Sequence, residues 1–193
     1  MKERPILFSG PMVKAILDGS KTQTRRVVKQ DREGLLDCEP HPAWDAFWQC
    51  VACPYGKPGD RLWVRETFAI VPRTAYARSD GVQQTLRPDD DHDAAIYRAG
   101  WDRSNGGFRW RPSIHMPRWA SRILLEIADV RVERLQDISE ADAKAEGAHN
   151  HKYNGLDLAY ARAYSDLWES INGPDSWAAN PWVWVVEFRR IEP

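Results

Sequence analysis

Three stretches of this chain read as strands with large apolar side chains at every second position, and no helix separates them in the regular way a parallel sheet requires. Trp182, Trp184, Val186 and Phe188 share one parity between Pro181 and Ile191. Ile123, Leu125 and Ile127 also share a parity, whereas Val130 and Val132 take the other. One long ribbon with a bulge near Ala128-Asp129 accommodates that switch. Pro58-Gly59-Asp60 is a turn launching the third stretch, Arg61-Leu62-Trp63-Val64-Arg65-Glu66. Alternation of this kind buries one face of each strand. With no βαβ rhythm, the pattern favours an α+β fold over a doubly wound sheet. About five or six strands would make a small mixed barrel, with about three helices packed around it.

The helices are read from their boundaries. Pro5 to Phe8 is a short strand; Ser9 then suits an N-cap and Pro11 a first turn. Val13, Ile16 and Leu17 form the apolar stripe, and Gly19 terminates it. Ser139-Glu140-Ala141-Asp142 approximates a capping box for a helix running to about Gly147. A longer helix is predicted from about Leu156 to Ile171, with apolar positions at Leu158, Ala161, Leu167 and Ile171 and with Asn172-Gly173-Pro174 as its stop. The whole chain, 1–193, reads as a single domain with loop-rich insertions at about 28–58 and 70–120. The second insertion holds a strand at Ala94 to Ala99 and a hairpin signal at Gly106-Gly107.

With a net charge of −1, the chain has no broad basic field with which to coat duplex nucleic acid. Contact with nucleic acid would have to be local. No apolar run approaches the roughly 20 residues that span a bilayer, and the N-terminus has no signal-peptide core. Three cysteines, an odd number, suit a reducing compartment, so a cytoplasmic protein without membrane contact is expected.

The densest chemistry lies in Gly19-Ser20-Lys21-Thr22-Gln23-Thr24-Arg25-Arg26, directly behind the first helix. An ammonium, three hydroxyls, an amide and two guanidiniums are costly to bury and unnecessary for a fold. Such a cluster can bind phosphate, and a lysine beside a hydroxyl can deprotonate it. The plainer reading is an anion-binding or solvated turn. In a regular strand the odd spacing of Lys21 and Thr24 sets them on opposite sides.

The run Ile16 to Arg26 resembles the signature of the ASCH domain family, related to PUA RNA-binding domains. The likeness continues at Pro58 to Val64, at Val132 to Ser139, at Glu146-Gly147 and in the closing strand, and the whole is similar to larger phage and prophage members. The resemblance implies a PUA-like barrel and a nucleoside or RNA partner. Some small bacterial members are amidohydrolases that deacetylate N4-acetylcytidine without a metal or other cofactor. Carried over residue by residue, Thr24 would be the nucleophile, Lys21 its base, and Glu146 a proton carrier or substrate orienter. Thr22, Arg25 and Arg26 would contact substrate. Other members are described as RNA-binding or ribonucleolytic, so a non-catalytic reader of RNA or a ribonuclease stand as alternatives.

Secondary clusters are weighed in the same way. Trp110-Arg111 and the stripe Arg118-Trp119-Ala120-Ser121-Arg122 suit stacking and phosphate contact, with Arg118, Trp119 and Arg122 the candidates. Tryptophan inward and arginine outward on a strand is the structural reading. Cys38, His41, Cys50 and Cys53 could close a tetrahedral zinc site, against ordinary reduced thiols. Asp89 to Asp93 reads as a solvated acidic loop rather than a cation site. His149 and His151 follow Glu146 closely enough to reach the same pocket or to sit in a loop.

Overall fold

The computed structural model describes residues 1–28, 53–104, 107–148, 152–153, 156–157 and 159–191. The fold is α+β. In chain order the strands are β1 (Glu3–Leu7), β2 (Gln23–Val27), β3 (Arg61–Arg65), β4 (Phe68–Pro72), β5 (Thr85–Leu86), β6 (Asp93–Tyr97), β7 (Leu124–Arg134), β8 (Lys152–Tyr153), β9 (Leu156–Asp157) and β10 (Trp182–Ile191). The three helices are α1 (Gly10–Leu17), α2 (Glu140–Ala145) and α3 (Tyr160–Asn172). One sheet has five strands in the order β1-β3-β7-β10-β2, a second has the order β4-β6-β5, and β8 pairs with β9. Among the described residues no closed barrel is found. None of their helices is long and apolar enough to cross a membrane.

The chain divides into two compact units. The first comprises Met1–Asp18, Asp60–Glu126 and Arg190–Pro193. Here β1 runs parallel to β3, from Glu3 opposite Arg61 to Leu7 opposite Arg65. Asp60 anchors the pair: one carboxylate oxygen accepts from the Lys2 amide at 2.8 Å, the other from Arg4 Nη1 at 3.1 Å. Ser9 does occupy the N-cap of α1 with extended backbone, but its hydroxyl makes no capping bond. Helix entry rests on Pro11 in the first turn and on burial of Val13, Ala15 and Ile16.

The segment expected as a loop-rich insertion at 70–120 carries much of this unit's core. Phe68, Ala95 and Tyr97 pack with Met116 and Ala120 on one side of the three-stranded sheet. Ala69, Val71, Ala94 and Ile96 pack on the other, against Tyr76, Trp101, Phe108 and Trp110. Those four rings meet edge-to-face, with centroids 5.0–6.2 Å apart. A strand buried on both faces reads as a continuous apolar run, and Phe68-Ala69-Ile70-Val71 therefore lacks the alternation seen in β3. Gly106, of the expected hairpin, lies outside the described residues.

The second unit is Gly19–Gly59 with Ile127–Arg189. Strand β2 pairs antiparallel with β10, Gln23 opposite Glu187 and Val27 opposite Val183. Its core gathers Leu135, Ile138, Ala143, Tyr164, Trp168, Val183 and Val185. Within β7, Ala128 and Asp129 are both exposed, where the apolar parity changes. Ser139 caps α2 as the capping pattern predicts, its hydroxyl accepting from the Asp142 amide at 3.0 Å and donating to Asp142 Oδ2 at 2.7 Å. Helix α3 starts at Tyr160, later than the predicted Leu156, because Leu156–Asp157 is strand β9. The carboxylate of Glu140 accepts from the amides of Tyr160 at 2.6 Å and Ala161 at 3.3 Å, fixing where the helix begins.

Candidate functional site

Helix α1 gives way at Gly19, whose φ of +82° only glycine adopts freely, and the chain re-enters a strand at Gln23. The intervening residues are clamped from both sides. The Thr22 amide donates to the Ala145 carbonyl at 2.8 Å, and the Phe188 amide donates to the Thr22 carbonyl at 2.8 Å. Lys21 forms an isolated antiparallel bridge with Glu146, the C-cap of α2. Two expected site residues, distant in sequence, are thereby brought together.

Lys21 Nζ donates to Glu146 Oε2 at 2.7 Å and to the Glu146 carbonyl at 2.8 Å. Both residues are buried, at 2% and 3% exposure. Arg25 reaches the same carboxylate, Nη1 to Oε1 at 3.3 Å, and donates through Nε to Glu133 Oε1 at 3.1 Å. Arg131 extends the network to Glu133 at 3.1 Å, to Asp142 at 3.2 Å and to Glu187. Gln23 Nε2 donates to the Asp142 carbonyl at 2.7 Å. Charges this deeply buried persist only when paired, which is why cations and carboxylates accumulate together here.

Strict alternation decides what the segment shows to each side. Lys21, Gln23 and Arg25 all bond to residues in or capping α2, so they share one face. Thr24 takes the opposite parity, buried at 2% and opposite Val186. Among the described residues no hydrogen bond links its hydroxyl to Lys21 or Glu146. Of the three residues assigned catalysis by resemblance, Lys21 and Glu146 meet, and Thr24 does not join them.

A cavity of about 360 Å³ lies beside this segment, lined by Gly19, Ser20 and Thr22 and by Ala141, Lys144, Ala145, Ala148 and Tyr160. Thr22 thus borders open space. Lys21 and Glu146 do not line it; they brace its wall. The ammonium of Lys144 sits 6.0 Å from the centroid of the Tyr160 ring.

Burial pushes the Lys21 ammonium below its ordinary value; Glu146 opposes that shift, while Arg26 and Arg25 add to it. Tyr164 is driven upward by burial and by the negative charge of Glu146. The Asp142 carboxyl meets the same burial penalty. Bonds from Ser139 and Gln23 and the charges of Arg25 and Arg131 outweigh it, holding the group below its usual range.

The remaining candidates fall as follows. The Arg25 side chain is fully buried in ion pairs, so it serves the network rather than a phosphate. Arg26, opposite Trp184, is half-buried. In the first unit, Arg122 grips Glu66 through two bonds of 2.8 and 3.0 Å and lies 4.0 Å over the Tyr97 ring, again a buried partner. Arg118 is more open, paired with Glu3 at 3.0 Å, and Trp119 is half-buried with Arg87 5.9 Å from its ring. The stripe is therefore a set of packing contacts with one open arginine.

Cys38, His41 and Cys50, like His149 and His151, lie outside the described residues; Cys53 is half-buried. The acidic run is neutralised locally, Arg73 pairing with Asp91 at 2.9 Å and Arg87 with Asp93 at 3.3 Å. Sequence reasoning missed Lys144 and Tyr160 at the cavity, and Glu133, Asp142 and Arg131 in the network. The signal for Lys144 was its place in the last turn of a predicted helix, one residue before the Ala145-Glu146 end. Comparison with known protein families, characterised proteins and solved structures returns no match for the chain.

Proposed function

We propose that this chain is a cytoplasmic ASCH-like domain, built on the plan of a small PUA-type barrel, that recognises a nucleoside, free or within RNA. The supporting observation is the cavity between residues 19–22 and α2. At about 360 Å³ it falls within the size of small-molecule sites. It offers an aromatic ring at Tyr160 for a base and hydroxyls at Ser20 and Thr22 for polar edges. The Lys21–Glu146 bridge holds that wall in place.

Hydrolysis of an N4-acylated cytidine is the second reading, favoured by the lowered Lys21 ammonium 2.7 Å from a carboxylate. In it the Lys21 ammonium first passes a proton to the Glu146 carboxylate, a hydroxyl oxygen attacks the acyl carbon as the freed Lys21 amine accepts its proton, and Glu146 hands its proton to the departing cytidine nitrogen as the C–N bond breaks. Water then releases acetate from the acylated hydroxyl. Thr24 fills the nucleophile's role only if the backbone at 22–24 turns.

Titration of the protein with N4-acetylcytidine and with single-stranded RNA tests recognition, and Tyr160→Leu is expected to weaken the nucleoside about tenfold. Failure of both ligands to bind rejects the proposal. Acetate released by wild type but by neither Lys21→Ala nor Thr24→Ala adds the hydrolytic reading; binding without release removes it.

A further inference from the structure

Four cations of the second unit are paired with carboxylates: Lys21 with Glu146, Arg25 and Arg131 with shared carboxylates, Arg162 with Asp166 at 3.3 Å. Lys144 differs. Its usual helical partner would be Glu140, four residues before it on α2. Both oxygens of Glu140 are instead occupied by the amides of Tyr160 and Ala161 at the start of α3. Among the described residues no carboxylate lies within ion-pair distance of Lys144, and its recorded neighbour is the Tyr160 ring. An exposed ammonium with no carboxylate beside it therefore stands at the rim of a cavity whose lining also carries the hydroxyls of Ser20, Thr22 and Tyr160.

Resting on the nucleoside reading above, we infer that the cavity takes a phosphorylated nucleoside, a nucleotide or a nucleotide unit of RNA, with Lys144 binding the phosphate. A base laid on Tyr160 displaces the ammonium from the ring and leaves it beside the ligand's sugar-phosphate side. A phosphate supplies several acceptor oxygens for one ammonium and two hydroxyl donors, a match that a neutral nucleoside lacks. The helix dipole of α2 also favours a cation in its last turn, but that role asks for no ligand.

The experiment compares N4-acetylcytidine, its 5′-monophosphate and inorganic phosphate by titration calorimetry on the intact protein. The monophosphate is expected to bind about tenfold more tightly than the nucleoside, with the gap closing in Lys144→Gln and narrowing as salt is raised. Lys144→Arg should keep most of the preference. Equal affinities for nucleoside and monophosphate overturn this inference and leave nucleoside recognition standing. Tighter binding of the monophosphate that survives in Lys144→Gln overturns the assignment to Lys144. Inorganic phosphate binding as tightly as the monophosphate reduces the site to an anion site and overturns it as well. Binding of neither nucleoside nor monophosphate fails both readings together.

Discussion

Lys21 and Glu146 illustrate how a single residue can be chemically loaded and still structural. Two opposite charges 2.7 Å apart gain strong attraction at low dielectric, yet each has given up its hydration. Removing one partner is the harmful change, because the other charge stays behind. Lys21→Met is expected to cost about 3–5 kcal/mol in urea denaturation, and Lys21→Met with Glu146→Gln to recover part of that loss. Tyr164 gives a pH test. Its buried phenol holds its proton above the ordinary value of 10.0, whereas the unfolded chain releases it near 10.0. The stability this phenol contributes is present below that pH and falls as pH rises above it, so Tyr164→Phe should flatten the alkaline limb of a stability–pH curve. At this scale the sequence was informative about chemistry and weak on direction. The cluster at 20–26 announced itself by its composition, and the odd spacing of Lys21 and Thr24 already held the parity that separates them. That Glu133 and Asp142 are partners of Arg25 and Gln23 was invisible, since pairing across more than a hundred residues leaves no local pattern.

Elements were legible where burial is one-sided. Strand β3 alternates and was read, and β7 and β10 were read from apolar residues at every second position; β4 is apolar at successive positions and β2 is Gln-Thr-Arg-Arg-Val, so neither alternates in the expected way. Strand β2 is buried in spite of its polarity because its side chains are satisfied by ion pairs and amide bonds. The start of α3 was misjudged for a related reason. Ala159 at its N-cap makes no side-chain cap bond, and the missing acceptor comes from Glu140 on another helix. Glu140→Ala should therefore destabilise the protein by about 1 kcal/mol and raise amide exchange at Tyr160 and Ala161. Ser139→Ala, which strips the cap from α2, should cost a similar amount and leave exchange at α3 unchanged.

At the scale of the whole molecule, neither compact unit is a continuous length of chain. In the first, every residue of β3 pairs with β1, and Asp60 is bonded to Lys2 and Arg4. A fragment spanning 60–126 carries most of that unit's residues but lacks β1. We expect it to show no dispersed amide spectrum in solution, whereas adding a peptide of residues 1–18 should restore order at β3. Phe68→Ala in the intact protein removes a fully buried ring and should cost about 3–5 kcal/mol. The sequence suggested one domain with insertions; how its segments interleave into compact units is not encoded by composition or by turns. The stretch from Ser20 to Arg25 carries a final consequence. One set of its side chains is committed to stability through the buried charges, and the interleaved set at Ser20 and Thr22 borders the cavity. Mutation can therefore retune what the cavity selects, position by position, with the scaffold left intact, but a single-residue insertion or deletion there would exchange the two sets and ruin both at once.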